Sequence, residues 1–273
     1  MKPYLSIAAI YRNEAPYLRE WIEFHRLVGV ERFFLYDNES SDHHMEVLGP
    51  YIDEGIVAWE AFPGFPPQLA CFQHCIETRR HDARWIAFID ADEFLFSPTG
   101  RPVPEILREY EQYPGVAVNC AVFGTSGHQT PPPGLVIENY TRRLGLERNR
   151  NKVVKAIVDP SRVLRPGKSP HYFIYEGGVR AVDERRRKVR GERSDSPSFE
   201  RLRINHYFTR SQEERERKLA RLRPDTGEPK TRAGVERRDP KLNEEPDDMI
   251  LRHAPALREA LGLEGPAPVH TEG

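Results

Sequence analysis

The stretch WIAFIDADEFLF, residues Trp85–Phe96, sets a continuous apolar run against three carboxylates, Asp90, Asp92 and Glu93. A short apolar run bounded by polar residues is the pattern of a strand buried on both faces, as in parallel sheets. Acids placed where such a strand ends fall at the rim of the sheet, outside its core. Two carboxylates two residues apart point the same way if the extended backbone continues through Asp92. They then need a shared positive charge, or one must stay protonated. A hard divalent cation, Mg²⁺ or Mn²⁺, meets that need with oxygen ligands. The competing reading is that these acids cap the next element or pair with arginines, and a bare D-x-D does not decide between the two.

The chain upstream does bear on the choice. YLSIAAIY (4–11) is a second buried-strand run, and from Glu14 to Val28 the spacing turns helical, with Leu18, Trp21, Ile22 and His25 on one face. Pro16 sits in the first turn, where its missing N–H does no harm, and Gly29 is placed to stop the helix. RFFLYD (32–37) and IVAWEAF (56–62) read as strands, residues 42–54 as a short helix or turn, and Gln68–Arg80 as a further helix. Strands beginning near 5, 32, 56 and 85, with helices between them, predict an α/β fold with a doubly wound, mostly parallel sheet. In such sheets ligands bind outside the carboxyl ends of the strands. Three polar clusters fall there: Arg12-Asn13-Glu14, Asp37-Asn38-Glu39 and Asp90-Ala91-Asp92-Glu93.

After residue 100 the pattern loosens. PVPEILREYEQY (102–113) predicts a short helix, GVAVNCAVFG (115–124) a strand, and the three prolines of TSGHQTPPPG (125–134) a loop. NKVVKAIVDP (151–160) reads as a strand with Lys152 and Lys155 on one face, and INHYF (204–208) as a strand delivering His206 into a charged helix. From 223 to 273 Pro and charge dominate, with a helical segment at 247–262. We therefore expect a domain over 1–222 and a charged, Pro-rich extension over 223–273, partly helical or flexible.

Lys plus Arg is 41 against 42 Asp plus Glu, so neither a polycation for nucleic acid nor an acidic tail protein is indicated. No apolar run is long enough to span a bilayer or serve as a signal peptide, and three cysteines do not suggest a disulfide scaffold. The expectation is a reduced, cytoplasmic protein. The basic run ERRRKVR (184–190) has no interleaved aromatics; it reads as a solvated loop or as a patch for anionic lipid at the inner face of a membrane. Cys71, His74 and Cys75 lie within one helical turn without a second ligand pair, which favours buried thiols over zinc. Trp59, Phe62 and Phe65 are core residues by default and acceptor-groove candidates otherwise.

IYRNEAPYLREWIEFHRLVGV, YDNESSD and FIDADEF, in this order, resemble the successive motifs of GT-A glycosyltransferases, closest to the family 2-like branch and the related family 92. FGTSGH, GLVIENYTRR, KVVKAIVDPSRV and INHYFTRS resemble later blocks of the family 92 group, so the resemblance runs from about residue 4 to 220. It implies a GT-A-like sheet and metal-dependent transfer of a sugar, with inversion, from a nucleotide sugar, UDP-linked by expectation. The acceptor would be a glycan, a lipid-linked glycan or another hydroxyl. By position, the resemblance assigns Asp37 to the nucleotide base, Asp90 to the ribose and metal, and Asp92 to the metal. Tyr11, Arg12 and Asn13 would wall the nucleotide pocket, and Lys152 and Lys155 would neutralise phosphate. A later histidine often completes such a metal site; His206 is the choice and His171 the alternative, while His128 is assigned to acceptor contact. Inversion also needs a base for the acceptor hydroxyl. Glu93, Glu176 and Asp183 are candidates that the sequence does not rank. The rival readings are a sugar nucleotidyltransferase, against which the glycine-free IYRNEAPY loop counts, and a non-catalytic carbohydrate-binding protein of the same fold.

Overall fold

The computed structural model describes residues 2–220, 224, 226–228 and 239–263. Its centre is a sheet built from β1 (Leu5–Tyr11), β2 (Arg32–Asp37), β3 (Val57–Ala61), β4 (Trp85–Phe88), β5 (Glu93–Phe96), β6 (Gly115–Val122), β8 (Val154–Val158), β11 (Val182–Asp183) and β12 (Arg203–His206). The order is β3-β2-β1-β4-β8-β6-β12-β5, with β11 beside the first half of β6. Strands β1 to β4 are mutually parallel, β8 runs against both its neighbours, β12 is parallel to β6, and β5 closes the edge antiparallel to β12. Two short pairs lie apart: β9 (Val163–Pro166) with β10 (Phe173–Tyr175), and β7 (Arg142–Arg143) with β13 (Glu245–Pro246). The expected α/β class with a mostly parallel sheet is thus the architecture observed.

One connection shapes everything above it. Only Ile89–Asp92 join β4 to β5, yet three strands stand between them in the sheet. Five residue steps reach about 17 Å, whereas four strand spacings in a flat sheet need about 19 Å. The sheet must curl to close that gap, and the acid-bearing turn is carried across its top. The strand accordingly ends at Phe88, short of the acids. The expectation that extended pairing continues through Asp92 is corrected: Asp90 to Glu93 form a turn, closed by the Glu93 N–H donating to the Asp90 carbonyl at 3.1 Å.

The helices cover both faces. α1 (Ala15–Leu27) buries Leu18, Trp21, Ile22, Phe24 and His25 against one core with the inward side of β5. α2 (His44–Asp53) packs beside α1 and buries Leu48 in that core. α3 (Gln68–Arg79) packs Cys71, Phe72, Cys75 and Ile76 into the opposite core beneath β4. α1 stops as the sequence predicts: Gly29 takes φ +100°, and an added Cβ there would meet Pro104 Cδ at 2.7 Å. The short α4 (Val103–Leu107), which carries that proline, therefore docks only against glycine.

His25 ties α1 to β5. The Leu95 N–H donates to His25 Nε2 at 3.0 Å, so Nε2 must be the unprotonated nitrogen, and Nδ1–H donates to the Trp21 carbonyl at 2.8 Å. Burial lowers the His25 pKa to about 3. The unfolded chain takes up this proton near pH 6.5 while the folded chain refuses it. Stability should thus fall by about 1.4 kcal/mol per unit as the pH drops below that value. Urea denaturation at pH 7 and pH 5 measures the slope, and His25→Gln should flatten it. An equal slope in the variant would assign the acid sensitivity elsewhere.

The described part of the C-terminal region is not an appendage. Two helices, α7 (Asp239–Leu242) and α8 (Ala254–Ala260), lie there, after α5 (Val136–Asn139) and α6 (Gln212–Leu219) in the chain. Ile250, Ala254, Leu257 and Leu261 join the core around α1, and Asp247 holds the buried Arg203 at 2.9 Å. The expected boundary at 222 does not separate two units over residues 241–263. Among the described residues no helix is long and apolar enough to cross a membrane.

Candidate functional site

Two groups of residues meet at the carboxyl ends of β1, β2 and β4. The first laces two loops together. β1 and β2 pair so that Tyr11 lies opposite Asp37, and both strands end there. Asn13 adopts φ 55° and Glu39 φ 58°, left-handed conformations that non-glycine residues hold only when their surroundings enforce them. Here the Asn13 N–H donates to Ser40 Oγ at 2.9 Å, and Asn13 Oδ1 accepts from the Ser41 N–H at 2.7 Å. Asp37 is buried, accepts from the Ser40 N–H at 3.0 Å, and has His44 Nε2 3.8 Å from its other oxygen. Asn38 reaches the Phe62 and Gly64 carbonyls, which fixes the β3–α3 loop as the wall opposite. The Tyr11 hydroxyl accepts from Trp59 Nε1 at 3.0 Å, so Trp59 supports this wall. Arg12 is exposed and lies 3.9 Å from Glu39.

The second group is the acid turn. Asp90 Oδ1 accepts from Gln68 Nε2 at 2.7 Å and Oδ2 from Lys155 Nζ at 2.7 Å. Glu93 lies fully buried beneath: Oε2 accepts from the Asp90 N–H at 3.0 Å and stands 3.2 Å from Lys155 Nζ. Its other oxygen faces His206 Nδ1 at 3.4 Å, because β12 pairs His206 directly with Glu93. The far side of the His206 ring presents Nε2 to Asp92 Oδ1 at 3.6 Å, and Asp92 Oδ2 accepts from Lys218 Nζ of α6. Glu14 and Tyr17 hold Arg210 close by; the Arg210 guanidinium pairs with Glu14 at 2.8 Å and stacks 3.6 Å above the Tyr17 ring.

Burial pushes each of these carboxyls up, and the balance with neighbouring charge decides the outcome. For Asp92 the charges of Lys218, His206 and Arg210 win and hold it well below its ordinary value. For Asp90 the Lys155 ammonium outweighs burial and the Asp92 charge, and the pKa is lowered. Burial dominates at Glu93 and raises it, despite Lys155. Lys155 is itself buried, yet Asp90 and Glu93 keep its pKa above the ordinary value. At neutral pH the turn therefore carries two ionised carboxylates, Asp90 and Asp92, with Lys155 and Glu93 buried in contact beneath them.

Of the residues singled out from the sequence, Asp90, Asp92, Glu93, Lys155 and His206 converge here, with Tyr11, Arg12, Asn13 and Asp37 at the neighbouring strand ends. Others do not. Lys152 ends a 3₁₀ turn before β8, and residues three apart face opposite sides of a strand, so the shared face with Lys155 is corrected. His171 Nδ1 lies 2.9 Å from the Val154 carbonyl, and burial with the Lys155 charge lowers its pKa to about 4. It lines a cavity of about 170 Å³ with Val154, Ala156 and Tyr175, on the opposite face of β8 from Lys155. His128 Nε2 lies 3.0 Å from the Asn139 carbonyl, in a loop tied to α6 and Asn243, so that loop is anchored by specific bonds. Glu176 is exposed and pairs with Arg80 at 3.7 Å. Asp183 lies on β11, three strands or roughly 14 Å from β4, and is occupied by Arg187 at 2.7 Å. Of the three base candidates, Glu93 is shut beneath the turn, and Glu176 and Asp183 lie apart from it.

Gln68, Lys218, Arg210 and His44 went unnoticed in the sequence. Arg210 carried a structural signal only, φ 50° in a buried non-glycine residue. The thiols of Cys71 and Cys75 are buried in the α3 core, and His74 pairs with Glu60 at 2.8 Å. The basic run is largely paired: Arg185 with Glu200, Arg186 with Glu109 and Arg187 with Asp183.

An α/β domain with an acid turn across the strand ends is the class that fold and site define. The model of glycosyltransferase family 92 matches residues 4–219, and the chain belongs to that family. A family 92 protein of Oryza sativa subsp. japonica is 34% identical over 66% of this chain and 31% of its own length. A galactan beta-1,4-galactosyltransferase of Arabidopsis thaliana is 30% identical over 39% of this chain and 23% of its own. The chain spans about a third of the length of the first of these relatives. Among solved structures, S. aureus TarS 1–349 in complex with UDP is similar at 12% identity, covering 58% of this chain and 47% of that one with a TM-score of 0.40.

Proposed function

We propose that this chain is a nucleotide-sugar-dependent glycosyltransferase domain of GT-A type that moves a hexose from a UDP-linked donor to a hydroxyl of a glycan or lipid-linked glycan. The observation that carries the reading is the placement of Asp37 at the end of β2 and of Asp90 and Asp92 just past the end of β4, with β1 between the two strands. Asp37 closes β2 and Asp90 opens the turn that follows β4, so both face the same end of the sheet, where a nucleoside diphosphate would lie. Asp37 would accept from the base, Asp90 from the ribose, and the Asn13–Ser41 loops would enclose the nucleoside. The similarity to galactan galactosyltransferases makes galactose the first donor sugar to test.

Among the described residues no three His, Cys, Asp or Glu side chains converge as metal ligands. Asp92 and His206 are two that face each other, and Mg²⁺-like cations are commonly held by one or two protein ligands, with substrate phosphates and water completing the shell. The residues present fit such a cation. When bound, Mn²⁺ or Mg²⁺ would neutralise the departing diphosphate. The chain's own contribution is preorganisation. Lys155 and Glu93 lock the turn, Gln68 orients Asp90, and His206 presents Nε2 beside Asp92 before any donor arrives.

Asp37→Ala tests the base contact. It should raise the Kd for UDP about tenfold or more, since a hydrogen bond to a charged group contributes about 1.5–3 kcal/mol. The loss of the Ser40 N–H bond should cost only about 1 kcal/mol in stability. Calorimetric titration of UDP in the presence of Mn²⁺ reads the first and urea denaturation the second. Unchanged UDP affinity would remove Asp37 from the site.

A further inference from the structure

The two lysines at the acid turn are held in different ways. Lys155 lies within β8, between β4 and β6, with its side chain 2% exposed, and cannot leave without opening the sheet. Lys218 lies in the last turn of α6 with its side chain 36% exposed. That helix is fastened at its other end. Ser211 and Glu214 form a reciprocal cap, Tyr17 donates to Glu214, and the Gln212 N–H donates to the His128 carbonyl at 3.0 Å. Near Lys218, Glu216, Arg217 and Ala220 are exposed. Its ammonium reaches Asp92, donates to the Phe208 carbonyl at 3.0 Å and stands 5.1 Å from the Phe208 ring centre.

This ammonium occupies Asp92 Oδ2, on the carboxylate that, with His206, would take a cation. A carboxylate that is only 8% exposed is costly to leave unpaired. We propose that Lys218 is the resident counter-ion of Asp92, displaced when the divalent cation of the donor complex binds, and that it thereby sets the cation dependence of the site. The inference rests on the nucleotide-sugar reading above. Asp92 is then paired in both states: Lys218 holds it while the site waits, and the cation holds it once the diphosphate supplies the remaining ligands. A free cation lacking those ligands competes poorly with a tethered ammonium, so the lysine favours cation and nucleotide arriving together. A site closed by Lys218 about nine-tenths of the time binds free cation about tenfold more weakly than an open one.

Mn²⁺ binding to the full chain, read from the electron paramagnetic resonance signal of free Mn²⁺, tests this without turnover. In the absence of nucleotide, Lys218→Met should bind Mn²⁺ about tenfold more tightly than the parent chain. Lys218→Arg keeps the charge and should behave as the parent does. Equal or weaker Mn²⁺ binding by Lys218→Met, with the variant shown to be folded at the temperature of the titration, would overturn the proposal. UDP titration of the parent with Mn²⁺ separates the two levels. If the parent binds UDP–Mn²⁺ while Lys218→Met gains nothing, only the role of Lys218 falls. If the parent binds no UDP with Mn²⁺, both readings fall.

Discussion

Asp92→Asn is expected to abolish sugar transfer, by about 10³-fold or more, and to remove cation-dependent UDP binding while the chain stays folded. The amide keeps the shape of the carboxylate and still accepts a hydrogen bond, but it loses the charge that a hard cation requires. Stability should fall at pH 7. The sign follows from the surroundings. Crowded acids without partners would gain from losing a charge, but Asp92 stands among Lys218, His206 and Arg210, which depress its pKa despite burial. A depressed carboxyl stabilises the fold above its unfolded value and loses that contribution as the pH falls through the folded one. The stability difference between parent and variant should therefore shrink in acid. Urea melts and UDP–Mn²⁺ titrations on the same preparation read both effects. If Asp92 only caps the next element, the variant loses a little stability and binds UDP–Mn²⁺ as the parent does, and the metal assignment fails.

Lys155→Met should have the largest effect on folding. Its ammonium is the buried partner of both Asp90, at 2.7 Å, and Glu93, at 3.2 Å. Removing one member of a buried charge cluster leaves the others uncompensated, and the usual cost is about 3–5 kcal/mol. For a chain of this size that corresponds to a fall in Tm of about 10 °C. The double variant Lys155→Met with Glu93→Gln discriminates between lost charge pairing and lost packing. Neutralising Glu93 removes the stranded charge, so the pair should be less destabilised than the sum of its single variants. Strict additivity in urea denaturation would show that Lys155 is not coupled to Glu93 and acts through Asp90 or through packing.

The parallel half of the fold was open to reading because its strands are buried on both faces and its helices on one. Apolar runs at 5–11, 32–37 and 85–88 and the Leu18-Trp21-Ile22-His25 spacing each state their element without help from the rest of the chain. β5 was not legible. Its four residues EFLF continue the apolar run of β4, and only the curl of the sheet separates them into a strand paired with β12. The same long-range closure explains why Asp90 and Asp92 were expected to share one ligand, whereas different lysines hold them. Lys218 and Arg210 sit in a segment whose composition, QEERERKL and its flanks, is that of a solvated helix. Nothing local marks two of its cations as site residues. The C-terminal extension misled for a related reason: Ile250, Leu257 and Leu261 are sparse among charges, and their burial depends on a groove that α1 and β5 create.

The central claim is that the acid turn across the strand ends receives the diphosphate of a UDP-sugar. Isothermal titration of UDP into the parent chain, with and without Mn²⁺, tests it most directly. Saturable one-to-one binding with Mn²⁺, markedly weaker without it, is expected. No binding of UDP at millimolar concentration, with Mn²⁺ or Mg²⁺ present and the chain shown to be folded, would contradict it.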